Sequence, residues 1–296
     1  MATLKALRIR IGSVSSSEKI TGAMKMISSA KVHKNEMELR KLLPYRNQVK
    51  SIMSHLLATG LEFGSPLIEN REVKKIALVV FGSDDGLCGA YNINIFKYLL
   101  QEISRLKQTY GEKLMFTIIP VGKKIFNAVK KLNVGNFEVR QFEGVDSKMS
   151  GEKVNEFTAH LQTEFLAHSF DLVKVVYMKF VSRSRQVPEA DSLLPVSRQT
   201  IENDIDAGKK ENKFYLFEPD PNSIFNAVLP MFVLSTMQEI TIENRASEQA
   251  ARVMAMQSAN DNAKKLLESL QLEFNKLRQQ GITTELLDIL GGQIER

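Results

Sequence analysis

The feature that most constrains this chain is an apolar seam near its carboxyl end, where residues recur at steps of three and four. Its members are Ala246, Ala250, Val253, Met256, Asn260, Ala263, Leu267, Leu270, Phe274 and Leu277. This rhythm keeps one face of an α-helix turned toward a partner. Because an isolated helix leaves such a seam in water, the sequence predicts a second long helix packed along it.

A second helical pattern at the start of the chain is the nearest candidate for that partner. Its stripe contains Leu4, Leu7, Ile11, Val14, Ile20, Met24 and Ile27, and its phase slips where six residues separate Val14 from Ile20. We expect this helix over residues 3–59, and Pro44 is expected to kink or divide it because proline removes a backbone donor. At about 1.5 Å per residue the helix reaches about 80 Å.

The helix that carries the seam is expected to begin at Asp220-Pro221. A carboxylate can cap free amides, and proline suits the first helical position. From there to Leu290 only Pro230 and Gly281 interrupt the pattern. About seventy residues would extend on the order of 105 Å, so an antiparallel coiled coil of the two terminal helices is the simplest arrangement.

Between these helices the sequence alternates strand and helix patterns. Short apolar, β-branched runs at Ile76–Ser83, Leu114–Gly122 and Leu172–Ser182 read as buried strands separated by helical stretches, and 186–197 reads as an edge strand. The predicted fold class is α/β: a central Rossmann-like α/β domain plus a long antiparallel coiled coil formed by the N- and C-terminal helices. The predicted domains are 1–60, 72–205 and 217–296.

Charge and composition narrow the class of protein. The net charge is +6, and residues 1–50 contain eleven Lys or Arg but three acidic residues. A basic helix can meet an acidic protein surface, anionic lipid or nucleic acid. Tyr45 is the one aromatic residue in this segment, whereas single-stranded nucleic-acid sites use stacked aromatics. A nucleic-acid scaffold is thus one alternative, and it predicts binding that weakens steeply with salt.

Location is predicted from what the sequence lacks. The amino-terminal decapeptide has no continuous apolar block of the kind that a signal peptide carries, and no run of eighteen apolar residues occurs. Cys88 is the single cysteine, so neither a disulfide framework nor a cysteine-rich metal site is expected. These observations favour a reducing, cytoplasmic location.

The loop Ser83–Gly89 occupies a position where phosphate-binding loops are found, between a strand and a helix. It lacks the glycine spacing of such loops, and Asp84 and Asp85 would repel a phosphate. We expect Gly86 and Gly89 to serve a tight turn and close strand–helix packing. The four histidines are dispersed, so no catalytic, cofactor or metal residues are predicted. An enzyme built on the α/β unit is the other alternative, and it predicts a ligand pocket near residues 83–92.

Four separated segments stand out as motifs: EKITGAMKMISSAKVHK (Glu18–Lys34), SDDGLCGAYN (Ser83–Asn92), ENRASEQAARVMAMQSANDNA (Glu243–Ala263) and NKLRQQGITTELLDILGG (Asn275–Gly292). Together they resemble the gamma subunit family of F-type ATP synthases. The segments stand in the family's order along the whole chain, which makes the resemblance specific. The chain departs from the family pattern at Gly22, Lys25, Asp85 and in the charged tail at 293–296.

The resemblance implies a rotor rather than a catalyst. The terminal helices would form a shaft inside a ring of three alpha and three beta subunits, and the central domain would contact the epsilon subunit and the ring of c subunits. Magnesium-nucleotide chemistry would belong to the partner subunits, so the chain itself would bind no cofactor. It would lie at the cytoplasmic face of a bacterial plasma membrane, attached only through the complex. Whether protons or sodium ions drive rotation would be determined by other subunits.

The resemblance also implies site residues. Contacts that couple rotation to the surrounding ring would be made by Met24, Lys25, Arg252, Gln279, Gln280 and Thr283. The central-domain loop would be represented by Ser83, Asp84, Gly86 and Gly89. The small residues Ala246, Ala250 and Ala263 would allow the two helices to approach closely.

Overall fold

The computed structural model describes residues 4–58, 63–132, 135–197 and 217–294. The elements in chain order are α1 (Leu4–Ala58), β1 (Lys75–Phe81), α2 (Tyr91–Tyr110), β2 (Met115–Val121), α3 (Lys123–Val129) with a 3₁₀ turn at Lys130–Leu132, β3 (Phe137–Val139), α4 (Gly151–Leu166), β4 (Leu172–Ser182), β5 (Arg185–Leu194) and α5 (Pro221–Ile294). They form two compact units, one of residues 30–251 and one of residues 1–29 with 252–296. The predicted domain boundaries stay predictions.

The larger unit is built on a five-stranded sheet in the order β3-β2-β1-β4-β5. The first four strands are parallel, and β5 runs antiparallel to β4. Strand β1 lies at the centre, where Ile76 pairs with Phe116 on one side and Leu172 on the other. The sequence predicted the three long parallel strands and the edge strand, but it missed β3, which has only three residues.

The strands alternate their side chains between two cores, which explains their continuous apolar sequences. Ala77, Val79 and Phe81 of β1 face a core that includes α4 and the inner parts of α1 and α5. Ile76, Leu78 and Val80 face the opposite core, with α2 and α3. Helix α5 contributes six side chains to the first core: Phe225, Leu229, Phe232, Val233, Met237 and Ile240.

Helix α5 begins where the sequence predicted. The Asp220 carboxylate accepts hydrogen bonds from the Ser223 amide at 2.9 Å and the Ser223 hydroxyl at 2.5 Å, and Pro221 is the first helical residue. These bonds hold the pKa of Asp220 below its usual value. Among the described helices, α5 alone has an 18-residue window with the mean hydropathy (1.2) of a membrane span, by length and composition only. Its core side chains show that much of this apolarity serves the α/β unit.

Both long helices are continuous. Helix α1 is not divided at Pro44, and helix α5 runs through Pro230 and Gly281 over the whole extent that the sequence predicted for it. Pro44 is exposed, so water can solvate the carbonyl that loses its helical donor. At Gly281 an added Cβ would meet nothing within 4 Å, so the glycine marks neither a turn nor a close contact.

The smaller unit is an antiparallel helix pair made by 4–29 of α1 and 252–294 of α5. The Arg8 guanidinium lies 5.8 Å from the centre of the Phe274 ring, and the Asn260 side-chain amide donates to the Glu18 carbonyl at 2.7 Å. Along α5 the seam is buried or half-buried at Met256, Asn260, Ala263, Leu267, Leu270, Phe274 and Leu277. This confirms the predicted seam and the coiled-coil part of the fold class.

The seam of α1 differs from the predicted stripe. Ile20 and Ile27 are exposed, whereas Met24 of the predicted stripe is half-buried, and the other covered positions of the stretch include Glu18, Thr21, Gly22, Lys25 and Ser28. These continue the steps of three and four from Leu7, Ile11 and Val14, so the helix face does not slip. The predicted slip followed apolarity, but polar and small residues fill this part of the seam.

Candidate functional site

The feature of the larger unit that bears most on function is the carboxyl edge of its parallel sheet. In this order of strands, the chain leaves β1 toward β2 and later returns to β4 on the other side of β1. A crevice outside the carboxyl ends of the strands at such a reversal is where open α/β sheets bind ligands. The loop 83–89 lies at this edge, directly after β1.

Helix α5 fills this crevice with Asn244. The Tyr91 hydroxyl donates to the Asn244 side-chain oxygen at 2.6 Å, and the Met178 amide donates to the same oxygen at 3.3 Å. The Asn244 Nδ2 donates to the Gly82 carbonyl at 3.4 Å. All these groups are buried: Gly82 directly follows β1, Tyr91 is the first residue of α2, and Met178 lies within β4. The place where an α/β enzyme holds its substrate is therefore occupied by a side chain of the protein itself.

Arg245, the next residue of α5, attaches the helix to the loop before α4. Its Nε donates to the Ser147 carbonyl at 2.8 Å, and another guanidinium nitrogen donates to the Met149 carbonyl. Burial lowers the pKa of Arg245. Because guanidinium stays charged well above neutral pH, these are charge-assisted hydrogen bonds to main-chain oxygens, which are among the stronger ones in proteins.

Ser83 and Asp84, two of the loop residues predicted from the sequence, hold in place the backbone segments that α5 contacts. The Ser83 amide donates to the Asn92 Oδ1 at 3.1 Å, and the Asn92 Nδ2 returns a bond to the Ser83 hydroxyl at 2.7 Å. The Asp84 carboxylate accepts from the Lys123 amide at 3.0 Å and from the Ser147 amide and hydroxyl at 3.1 and 2.7 Å. Asp84 thus fixes the loop that Arg245 grips.

The structure confirms one of the two roles predicted for the glycines at this edge and assigns the other to a different glycine. Gly89 has φ +61°, which fits the predicted tight turn. A Cβ on Gly86 would meet only the Lys124 side chain, at 3.8 Å, so Gly86 is not at a close approach. A Cβ on Gly82 would stand 2.5 Å from the Ile125 Cβ. Close packing of strand end and helix therefore requires Gly82, which the sequence reasoning missed.

An open cleft of about 440 Å³ lies beside this edge, lined by Asp84, Gly122, Lys123 and residues 141–146. Its carboxylates are engaged in part: Asp84 as described, and Asp146 with the Lys148 amide at 2.8 Å. Within the described residues no group of three or more His, Cys, Asp or Glu side chains is arranged to hold a metal ion. The Cys88 thiol is buried, 3.4 Å from the Asn92 Nδ2.

A second polar cluster joins α1, α5 and the β4–β5 hairpin. Arg46 of α1 pairs with Glu239 of α5, and Lys179 pairs with Glu189 at 2.9 Å. Burial, with the charge of Glu239 as the next cause, raises the pKa of Glu243 to about 7. Burial and the neighbouring carboxylates also raise the pKa of Tyr177, whose hydroxyl donates to Asp191 at 2.9 Å.

The six predicted ring-contact residues lie in the smaller unit and are not gathered into one site. Met24 and Lys25 are half-buried, and Arg252 is almost fully buried. Gln279, Gln280 and Thr283 are exposed, and the Thr283 hydroxyl donates to the Gln279 carbonyl at 3.0 Å. Their role as contacts stays a prediction.

Comparison with known proteins places the whole chain in one family. Residues 3–294 match the family model described as ATP synthase. The ATP synthase gamma chain of Bacteroides fragilis is 37% identical over 294 residues, covering 99% of this chain and 100% of the relative. The ATP synthase gamma chain of Pasteurella multocida is 32% identical over 292 residues, covering 99% of both.

Solved structures confirm the fold. The rotor of the Euglena gracilis mitochondrial ATP synthase matches with a TM-score of 0.60 at 19% identity, covering 94% of this chain and 98% of that one. A central stalk and c-ring structure of the Tetrahymena thermophila mitochondrial ATP synthase matches with a TM-score of 0.54 at 20% identity, covering 81% and 99%. With a full-length match at more than a third identity, the chain belongs to the ATP synthase gamma chain family.

Proposed function

We propose that this chain is the central rotor shaft of an F-type ATP synthase. It couples ion flow through the membrane sector to ATP synthesis or hydrolysis in a ring of alpha and beta subunits. The observation that carries the proposal is the match to ATP synthase gamma chains along the full length of both sequences. The likeness to a rotor and to a central stalk supports the same role at the level of the fold.

The geometry of the larger unit fits a domain that holds helix α5 better than it fits a catalytic domain. A Rossmann-like sheet normally keeps its carboxyl-edge crevice open for a ligand. Here Asn244 of α5 occupies that crevice, and Arg245 bonds to the Ser147 carbonyl beside it. An α/β domain held this way can receive torque from partners and pass it into the helix. We therefore propose that the chain is non-catalytic and binds no cofactor, and that magnesium and nucleotide belong to the catalytic partners.

The helix pair supports the proposal of a surrounding partner. Large apolar side chains point outward on both helices, among them Ile9, Met26, Ile27, Leu272 and Ile282. Outward apolar side chains in such number mark a surface that other proteins cover. We assign that cover to three alpha and three beta subunits. Met24, Lys25, Gln279, Gln280 and Thr283 would make the coupling contacts, and Arg252 would support them from within.

The remaining partners follow from the same role. The α/β unit would contact an epsilon subunit and the c-ring, and the chain would reach the membrane only through them. Its location would be the cytoplasmic face of a bacterial plasma membrane. Nucleic acid has no place in this assembly, and the basic amino-terminal helix would instead complement acidic surfaces of the catalytic subunits.

Co-purification tests the proposal. A tagged chain recovered from its source cells is expected to bring alpha and beta subunits in threefold excess, with magnesium-dependent ATPase in the eluate. The chain purified alone is expected to hydrolyse no ATP. Recovery of the chain by itself, with ATPase of its own, would favour the α/β-enzyme alternative. Recovery with RNA, at an affinity that falls steeply with salt, would favour the scaffold.

A further inference from the structure

A shaft must be attached to its domain by contacts that resist rotation, and two kinds of buried contact join α5 to the α/β domain. The first kind is apolar: Phe225, Leu229, Phe232, Val233 and Met237 pack into the core beneath the sheet. Hydrophobic burial is non-directional, so such contacts oppose separation more than they oppose sliding or twisting. They hold the helix on the domain without fixing its angle.

The second kind is a set of buried hydrogen bonds that end on main-chain atoms. The side chain of Asn244 is bonded to the Met178 amide and the Gly82 carbonyl, and to the Tyr91 hydroxyl. Hydrogen bonds weaken steeply once their angles depart from linearity. Because Gly82 directly follows β1 and Met178 lies in the neighbouring strand β4, turning α5 would break these bonds or distort the sheet.

Arg245 extends this network to a third part of the domain. It grips the Ser147 and Met149 carbonyls, and Ser147 is held by Asp84, whose other oxygen accepts from the Lys123 amide at the start of α3. The two neighbouring residues of α5 therefore connect directly to the end of β1, to β4, to α2 and to the loop before α4, and through Ser147 and Asp84 to α3. Within this network Tyr91, Ser147 and Asn244 are buried, whereas Asp84 and Arg245 are half-buried.

Helix α1 is also attached to the α/β domain. Its core contacts include the apolar side chains of Val49, Met53, Leu56 and Leu57. One of its ion pairs with the domain, between Glu36 and Arg183, is 2.9 Å long and exposed on the arginine side. Exposed pairs of this kind contribute about 0–1 kcal/mol.

We propose that Asn244 and Arg245 are the positioning residues that fix the angle of α5 on the α/β domain and pass torque between them. The inference rests on the proposed rotor function. It assigns the fixed angle of α5 to hydrogen bonds rather than apolar packing. The loop residues Ser83 and Asp84 then support the contacts of the helix and do not bind a ligand.

The test measures torsional stiffness in the complex of this chain with alpha and beta subunits. A bead is attached to the α/β domain through Tyr110→Cys, at an exposed position of α2 (46% exposed), while Cys88 is buried. The angular variance of the bead during catalytic pauses reports how firmly the domain is fixed to the shaft. Asn244→Ala and Arg245→Gln are expected to raise that variance about twofold or more, with the ATPase rate unchanged.

Two further variants separate a mechanical role from a structural one. Tyr91→Phe removes only the hydroxyl that reaches Asn244, so it keeps the fold and is also expected to raise the variance. Met237→Ala, in the same helix and fully buried, lowers stability through a cavity but leaves every hydrogen bond of the network in place. Its variance is expected to equal that of the parent chain.

The outcomes are distinct. A larger variance in Tyr91→Phe and Asn244→Ala, with none in Met237→Ala, supports the proposal. Equal variance in all variants, or the same rise in Met237→Ala, overturns it. Torque would then be transmitted by the apolar packing of α5. If the parent complex hydrolyses ATP while its bead never turns, the rotor function itself fails, which is a different observation from any change in variance.

Discussion

The two compact units of this chain use their apolar residues in opposite ways. Among the described residues, the helix pair of 4–29 and 252–294 has three buried apolar side chains larger than alanine, Leu7, Met256 and Leu270, and twelve exposed large ones, including Ile20 and Leu287. The unit of 30–251 buries two complete cores, one on each face of its sheet. The difference shows which unit is shaped by its own folding and which by its surroundings.

The polar residues differ in the same sense. In the α/β unit buried polar groups tie helices to strands, as Asn244 does at the carboxyl edge. In the helix pair Asn260 lies in the seam and bonds to Glu18 and, at 3.4 Å, to the Thr21 hydroxyl. A single buried Asn in a coiled coil sets register at a cost in stability. Asn260 thus fixes the register of the two helices more than it stabilises their pairing. This is expected of a segment that partner proteins hold in place.

The largest expected effect contrasts apolar truncations in the two units. Leu229→Ala removes a fully buried side chain from α5 in the α/β unit and should lower the free energy of unfolding by about 4 kcal/mol. Leu272→Ala, on the same helix but 72% exposed, should change it by less than about 0.5 kcal/mol. Urea unfolding of the isolated full chain measures both. Equal losses would contradict the contrast between the units.

The next effect concerns the buried ion pair between the sheet and α2, on the face opposite to the core that contains α4. Lys174 of β4 donates to Glu102 of α2, and Arg105 donates to the same carboxylate at 2.8 Å. Burial tends to raise the pKa of Glu102, but the bonds from Arg105 and Lys174 outweigh it and leave the pKa below its usual value. Lys174→Met should cost about 3 kcal/mol at neutral pH because it leaves a buried carboxylate with one partner.

The matched control for that change is Lys179→Met, which removes a partly exposed pair with Glu189. It should cost at most about 1 kcal/mol. Lowering the pH should narrow the gap between Lys174→Met and the parent chain, since the pair contributes only while Glu102 is ionised. A gap that does not change with pH would show that lost packing, not the charge, is responsible.

A smaller effect is the pH dependence set by Glu243. Because its pKa rises from 4.5 to about 7 in the fold, the folded chain keeps a proton that the unfolded chain has released between these values. The group's contribution is therefore most favourable below pH 4.5 and is lost as the pH rises to about 7. Glu243→Gln should raise stability at about pH 8 by on the order of 2 kcal/mol and change little at about pH 4.

Glu273→Gln on the exposed face of the same helix is the control for Glu243, and it should leave the pH profile unchanged. Thermal denaturation across the pH range measures both variants. A Glu243→Gln profile that runs parallel to that of the parent would mean that Glu243 stays ionised in the fold.

The smallest effect lies within the helix pair. Alanine stabilises a helix interior by about 1 kcal/mol relative to glycine. At Gly12 an added Cβ meets nothing within 4 Å, so Gly12→Ala should gain most of this, whereas at Gly22 the Cβ would stand 3.3 Å from the Asn260 Nδ2. Gly22→Ala should gain less or nothing. An equal gain at both sites, measured by thermal unfolding, would show that Asn260 moves aside freely.

How much of the fold the sequence predicts depends on how regular each pattern is. The seam from Met256 to Leu277 is apolar at nearly every step and was placed correctly. The facing stretch of α1 was misphased because Ile20 and Ile27 are apolar yet exposed, while Thr21 and Ser28 are covered. A sequence pattern does not distinguish an apolar residue that packs inside its own chain from one that a partner protein covers.

The candidate site was the least predictable part. The loop 83–89 was visible as a conspicuous sequence, but its meaning depends on Asn244 and Arg245, more than 150 positions later. Hydrogen bonds from side chain to main chain leave no periodic signature, and Gly82 carries no sign of the Ile125 side chain beside it. The ring-contact residues Met24, Lys25, Arg252, Gln279, Gln280 and Thr283 rest on resemblance and await a complex.

The most direct test of the central claim is rotation of this chain within its complex. A bead fixed to the chain through Tyr110→Cys, with alpha and beta subunits anchored to a surface, should turn in one direction when ATP is added. It should pause at three positions per turn, one for each catalytic site. Continued ATP hydrolysis with a bead that never rotates would contradict the account, because the catalytic ring would then be working without this chain as its shaft.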